Sequence, residues 1–205
     1  MSPMDEIVKQ ALARWPDVPH CTGWLRLDAR GQWRLRDEAD QAAGAPGTAI
    51  RHEALIGFIN RNYECDARGQ WYFQNGPQRV YVELEYTPFV VRLATDASGA
   101  LALADQTGRP FAPGGVWVDE SGSVLFAEAA SGTAGAASGS GRVALLHDHD
   151  LDLFTDHAAL ADDGQSGNFT WRTDANALPI APLRRADVPA RFGFIASPAG
   201  EAAAT

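Results

Sequence analysis

The densest grouping of potential metal ligands in the chain is His147-Asp148-His149-Asp150-Leu151-Asp152, with Asp156 and His157 close behind. Neutral imidazole and carboxylate oxygen are the donors that zinc, manganese and iron favour, so the candidate ligand set is His147, His149 and Asp152 of a metal-dependent enzyme. The spacing argues against a known site, because a His-x-His-x-Asp-His metallohydrolase run would need Asp and His where Leu151 and Asp152 stand. The competing reading is structural. The run follows a strand-like stretch, Arg142 to Leu146, and precedes a weak helical segment at 149–161. There Asp150 or Asp152 would cap the helix while its neighbours face water.

A second grouping is polar and aromatic: Asn60, Arg61, Asn62 and Tyr63, then Tyr72, Gln74, Asn75, Gln78, Arg79 and Tyr81. Period-two alternation predicts that Tyr72, Gln74, Arg79 and Tyr81 point outward and, with Asn62, line a shallow surface for a small ligand or protein partner. An ordinary wet sheet face with Asn60 or Asn62 as helix C-cap explains the same residues. Glu83 and Glu85 share a strand face, where mutual repulsion would favour general acid work unless Arg79 or Arg92 pairs with them. Gly-x-Ser-x-Gly, P-loop and Gly-x-Gly-x-x-Gly patterns are absent, so the sequence assigns no catalytic residue and no cofactor. Cys21 and Cys65 read as reduced, small hydrophobic side chains.

The elements that would position these residues announce themselves through an internal repeat. Asp28-Ala29-Arg30-Gly31-Gln32-Trp33 recurs unchanged as Asp66-Ala67-Arg68-Gly69-Gln70-Trp71, and looser copies begin at Asp96 and Asp119. Asp can bond backbone N–H groups ahead of it and Gly takes positive φ cheaply, so each copy predicts a hairpin loop. Around the first loop, Trp33 and Leu35 are expected inward, Arg34 and Arg36 in water. Asn75-Gly76 predicts another reversal, followed by Val80, Val82, Leu84 and Tyr86 on one strand face. Pro88 marks a bend before Phe89 to Leu93. Further strands are expected at 116–118, 124–126 and 142–146.

Helical periodicity covers 4–15, with Ile7, Val8, Ala11 and Trp15 on one side, and 51–62, with Leu55, Ile56 and Ile59 inward. The six tryptophans are expected mostly in the core. The Ala/Gly/Ser run at 129–141 reads as a flexible loop, and the tail from 199 should fray. The resulting division is an N-terminal helix at 1–16, a first β-rich subdomain at 17–95, a second at 96–198, and a disordered tail at 199–205.

Composition narrows the partners. The formal net charge is -9, with 26 acidic against 17 basic residues. That field repels a phosphate backbone and disfavours nucleic-acid and acidic-membrane partners. No apolar run is long enough to span a bilayer, and two cysteines cannot build a disulfide framework, so a cytoplasmic location is expected. Pairing of sheet edges leaves a homodimer open.

Taken in order, Gly31-Gln32-Trp33, the helix 51–62, Asp66 to Phe73, and Val82-Glu83-Leu84-Glu85-Tyr86-Thr87-Pro88-Phe89 resemble an uncharacterised bacterial domain-of-unknown-function family over residues 23–95. The resemblance implies a small α+β protein with repeated β-rich motifs, in which a ligand-binding or signalling role is suspected, and it brings no catalytic residue. The sequence reading is therefore an α+β, mainly antiparallel β chain of repeated hairpins. Its expected role is a non-enzymatic binding or regulatory module.

Overall fold

The computed structural model describes residues 6–15, 18–129, 142–171 and 177–202. It is mixed α+β and mostly β, with fourteen strands in two largely antiparallel sheets and six short helices among the described residues. The chain forms two compact units, one of residues 1–28, 32–86 and 194–205, the other of residues 29–31 and 87–193. Among the described residues, no helix is long and apolar enough to cross a membrane.

The first unit begins with α1 (Glu6–Arg14), then β1 (Cys21–Leu27), β2 (Trp33–Leu35), α2 (Glu38–Ala43) and β3 (Thr48–Ala49). It continues with α3 (Glu53–Arg61), β4 (Tyr63–Cys65), β5 (Trp71–Asn75) and β6 (Gln78–Leu84). The strands form one sheet in the order β3-β2-β1-β6-β5-β4, with β1 and β6 parallel and the other pairs antiparallel. Leu25, Leu27, Trp33, Phe73 and Val82 are buried. Helix α3 packs on this sheet through Phe58 against Phe73 and through Asn60, which accepts the Trp33 indole N–H at 2.7 Å.

The second unit contains β7 (Phe89–Thr95), β8 (Leu101–Asp105), β9 (Pro113–Val118), β10 (Val124–Glu128) and β11 (Val143–Leu146). After a 3-10 turn at Asp148–Asp150 come α4 (Leu151–Asp156), β12 (Ala158–Leu160), β13 (Gly167–Phe169), β14 (Leu178–Pro182) and α5 (Val188–Phe192). Its eight strands run β12-β13-β14-β9-β10-β11-β7-β8. In its core Phe154 stacks on Phe169, and Phe126 meets Phe154 edge-on and Phe169 at a tilt. The short α6 (Pro198–Ala202) belongs to the first unit.

The hexads are chain reversals. Asp66 Oδ1 accepts the N–H groups of Arg68 and Gln70, each at 2.9 Å, while the backbone of Asp66 pairs with that of Gln70. Gly69, at φ 83°, turns the chain where a Cβ would be strained. The loops at Asp28, Asp96 and Asp119 bond in the same way. A fifth copy that the repeat reading missed, Asp105-Gln106-Thr107-Gly108, joins β8 to the chain beyond it.

Several orientations differ from expectation. Trp33 is buried, but Leu35 is 52% exposed and Arg36 is buried. The cause is α2, a short helix that the sequence reading did not anticipate. Asp37 and Asp40 cap it reciprocally and Gly44 closes it in the left-handed region. The Arg36 guanidinium turns in and bonds the Ala45 carbonyl at 2.9 Å. On α1 only Val8 of the expected face is buried; Ile7 and Trp15 are exposed, as is Trp24 on β1. On α3 Ile59 is inward while Leu55 is exposed. Position 199 is tied down, with Ala199 N–H on Glu83, and the run at 130–141 lies outside the described residues.

Candidate polar and aromatic site

Tyr72, Gln74, Arg79 and Tyr81 come together on one face of the β5–β6 hairpin, because Tyr72 pairs with Tyr81 and Gln74 with Arg79 in its antiparallel register. The face is not the open surface that alternation predicted. Tyr72, Gln74 and Tyr81 are buried, and only Arg79 keeps part of its side chain in solvent. Asn62 is fully buried too, at the end of α3, where its amide donates to the Phe58 carbonyl at 2.9 Å.

What buries these groups is a network of polar neighbours. The Tyr72 hydroxyl donates to Glu64 Oε2 at 3.1 Å, and the Tyr81 hydroxyl donates to Asp66 Oδ2 at 3.2 Å. The Arg79 guanidinium carbon lies 4.5 Å from the centre of the Tyr72 ring, and the His20 ring meets Tyr81 edge-on. Burial, the Glu64 carboxylate and its hydrogen bond push the Tyr72 phenol up to about 12, against the opposing pull of Arg79. Nearby, burial and Asp66 push the Cys65 thiol up to about 11, and burial raises Cys21, so neither is a ready thiolate.

One atom in this face is not satisfied. The Gln74 amide nitrogen donates to the Gly76 carbonyl at 2.9 Å, which fixes the orientation of the amide. Its oxygen is buried, and among the described residues no donor reaches it. Glu64, Asp66 and His20 were missed by the sequence reading. Glu64 alternates with Tyr63 and Cys65, and Asp66 opens the repeated hexad, so both signals were present. Glu83 and Glu85 do not act as a pair: Glu83 binds the Ser197 hydroxyl at 2.6 Å, and Glu85 lies 3.3 Å from Arg26.

The His/Asp run lies on the second unit. No three His, Cys, Asp or Glu side chains converge as metal ligands among the described residues. Asp150 is held bidentately by Arg92 at 2.7 and 2.9 Å and also accepts the Leu93 N–H. Burial would raise its carboxyl, but Arg92 and the Leu93 N–H outweigh it and hold it low. Asp148 is gripped by Arg30 at 2.6 Å, and Asp152 lies in the exposed first turn of α4. Asp150 stands at the N-cap of α4, as one of the two expected caps, but makes no side-chain cap bond there. The 3-10 turn before it is capped by His147, whose Nδ1 accepts the His149 N–H at 3.2 Å.

A solved DUF1285 family protein from Silicibacter pomeroyi DSS-3 has the same fold, with a TM-score of 0.51 at 15% identity over 88% of this chain and 89% of that one. A DUF1285 family protein from Shewanella baltica OS155 aligns with a TM-score of 0.39 and 13% identity over 65% of this chain and 91% of that one. No curated protein matches the chain. The model of family DUF2944, described as "Protein of unknown function (DUF2946)", matches residues 4–199. The chain therefore belongs to this uncharacterised family, as the domain-of-unknown-function resemblance anticipated.

Proposed function

We propose that the chain is a non-enzymatic binding module whose ligand or partner engages the hairpin end of the six-stranded sheet, at Gln74 and Arg79. The observation that carries this reading is the Gln74 amide oxygen, a buried acceptor that no donor reaches among the described residues. Such an atom costs on the order of 1–3 kcal/mol, and sequences keep such costs where function needs them. Arg79 stands in register beside it with its guanidinium over Tyr72, so a ligand offering an N–H or O–H donor would satisfy the amide while its remaining face meets a cation. Tyr72 and Tyr81, locked by Glu64 and Asp66, supply a rigid floor.

The test is ligand-observed NMR with a panel of small amides, amines and alcohols against the wild-type chain, Gln74→Met and Arg79→Gln, with circular dichroism as the check on folding. Compounds that bind the wild type should lose binding to both folded variants. Binding that survives Gln74→Met unchanged, or a panel with no binder, refutes the assignment.

A further inference from the structure

His147 Nδ1 is addressed from two directions. The His149 N–H points at it from 3.2 Å, and Asp148 Oδ1 lies 3.0 Å away. One nitrogen can accept from the first or donate to the second, and its protonation decides which. We propose that His147 is a pH-operated switch at the turn that starts α4: neutral, its Nδ1 caps the turn; protonated, it releases the His149 N–H and binds Asp148.

The surroundings make the two states chemically distinct. In the neutral form the ring proton sits on Nε2, Nδ1 holds the cap, and Asp148 takes Arg30 on Oδ2. A proton from solvent then adds to Nδ1, and the new Nδ1–H donates to Asp148 Oδ1, 3.0 Å away. The result is an Arg30–Asp148–His147 triad whose cost is the cap. Charged groups face His147 on both sides of this balance. Arg92 from β7 and His149, whose ring lies 4.7 Å away edge-on, oppose its charge, while Asp148 and Asp150 favour it. Burial and Arg92 prevail and keep the imidazole below its ordinary value. The capped form therefore holds at neutral pH, and the change belongs to mildly acidic conditions. The switch uses no residue of the β5–β6 face and gives the module a conformational response to pH.

The experiment is 15N NMR of the wild-type chain from pH 4.5 to 8. The expected result is a neutral Nε2–H tautomer of His147 at the upper end, and a residue-149 amide that moves with the same midpoint as the His147 ring. That movement should persist in His149→Gln, which removes the neighbour's own titration, and vanish in His147→Asn, which keeps a cap acceptor but carries no titratable proton. Asp148→Asn should lower the His147 midpoint by about half a pH unit, a threefold loss of proton affinity. A neutral Nδ1–H tautomer, or a residue-149 amide that ignores the His147 midpoint, overturns the switch without any variant having to fold.

Discussion

Ser197→Ala tests how the C-terminal segment closes the first unit. Residues 194–202 return to the six-stranded sheet, where Ile195 N–H bonds the Gly69 carbonyl at 2.9 Å and Leu84 N–H bonds the Ala196 carbonyl at 2.8 Å. Buried Glu83 then takes the Ser197 hydroxyl on Oε2 at 2.6 Å and the Ala199 N–H on Oε1 at 3.0 Å. A hydrogen bond to a carboxylate contributes about 1.5–3 kcal/mol, and Ser197 is partly in water, so its loss should cost about 1.5 kcal/mol. Glu83→Ala removes both bonds and should cost about twice that. The assay is amide hydrogen exchange at Leu84, in the middle of this contact. A cost of 1.5 kcal/mol accelerates exchange by about an order of magnitude when opening is governed by this segment. A chain ending at Gly193 should lose protection at Leu84 altogether. Unchanged Leu84 exchange in Ser197→Ala and in the truncated chain would refute the view that this segment closes the sheet.

Spectrophotometric titration should show a phenol ionising near pH 12, and Tyr72→Phe should remove that step; a spectrum that Tyr72→Phe leaves unchanged in that range would contradict the Glu64 contact. Gly99→Ala and Gly31→Ala both place a side chain at positive φ, which costs about 1–2 kcal/mol. At Gly99 the new Cβ meets nothing, whereas at Gly31 it lies 3.1 Å from Gln106 and 3.3 Å from Val90, so Gly31→Ala should be the more destabilising by denaturant unfolding. The second unit should weaken in acid in two stages, followed through Trp117 fluorescence. His147 is held low, so its support for folding is complete above its ordinary 6.5 and is lost as pH falls from there through its lower folded value. Asp148 and Asp150 are also held low, so theirs is complete above 3.8 and is lost as pH falls through their lower folded values. His147→Asn should erase the first stage and leave the second.

Much of the fold was legible because its signals are local. The hexads, Asn75-Gly76 and the alternation on β6 each fix a turn or a strand within about ten residues. Helix α2 left its mark in Asp37 and Asp40, yet its body is too short for a periodic apolar face, and without it Arg36 reads as a solvent residue. The polar face was found as a set of residues but assigned the wrong environment. Alternation tells which side of a sheet a residue takes; it does not tell whether His20, Glu64 and Asp66 will close over that side. The return of residues 194–202 depends on Glu83 meeting Ser197 and Ala199 across more than a hundred positions, which no periodicity records. The ion-pair partners of the His/Asp run were hidden for a related reason: its carboxylates find Arg30 and Arg92, both distant in sequence.

The repeated loops explain why the polar groups are held so firmly. In each loop one aspartate oxygen is occupied by the N–H groups of its own turn, and in four of them the second oxygen reaches a side chain beyond it. Asp28 Oδ2 takes Arg34 at 2.7 Å, Asp66 Oδ2 takes the Tyr81 hydroxyl, Asp105 Oδ2 takes Arg142, and Asp119 Oδ2 lies 3.7 Å from Arg185. Serine or glycine at the first loop position would still turn the chain but would lack the second acceptor. Aspartate does both, so the element that reverses the chain also anchors a cation or a phenol on a neighbouring segment. At Asp66 that double use fixes Tyr81, against which Tyr72 and the guanidinium of Arg79 are set. The geometry around Gln74 is thus inherited from the hexad itself. A change confined to the loop at Asp66 should reach the hairpin face, while the same change at solvent-facing Asp96 should stop at its own turn.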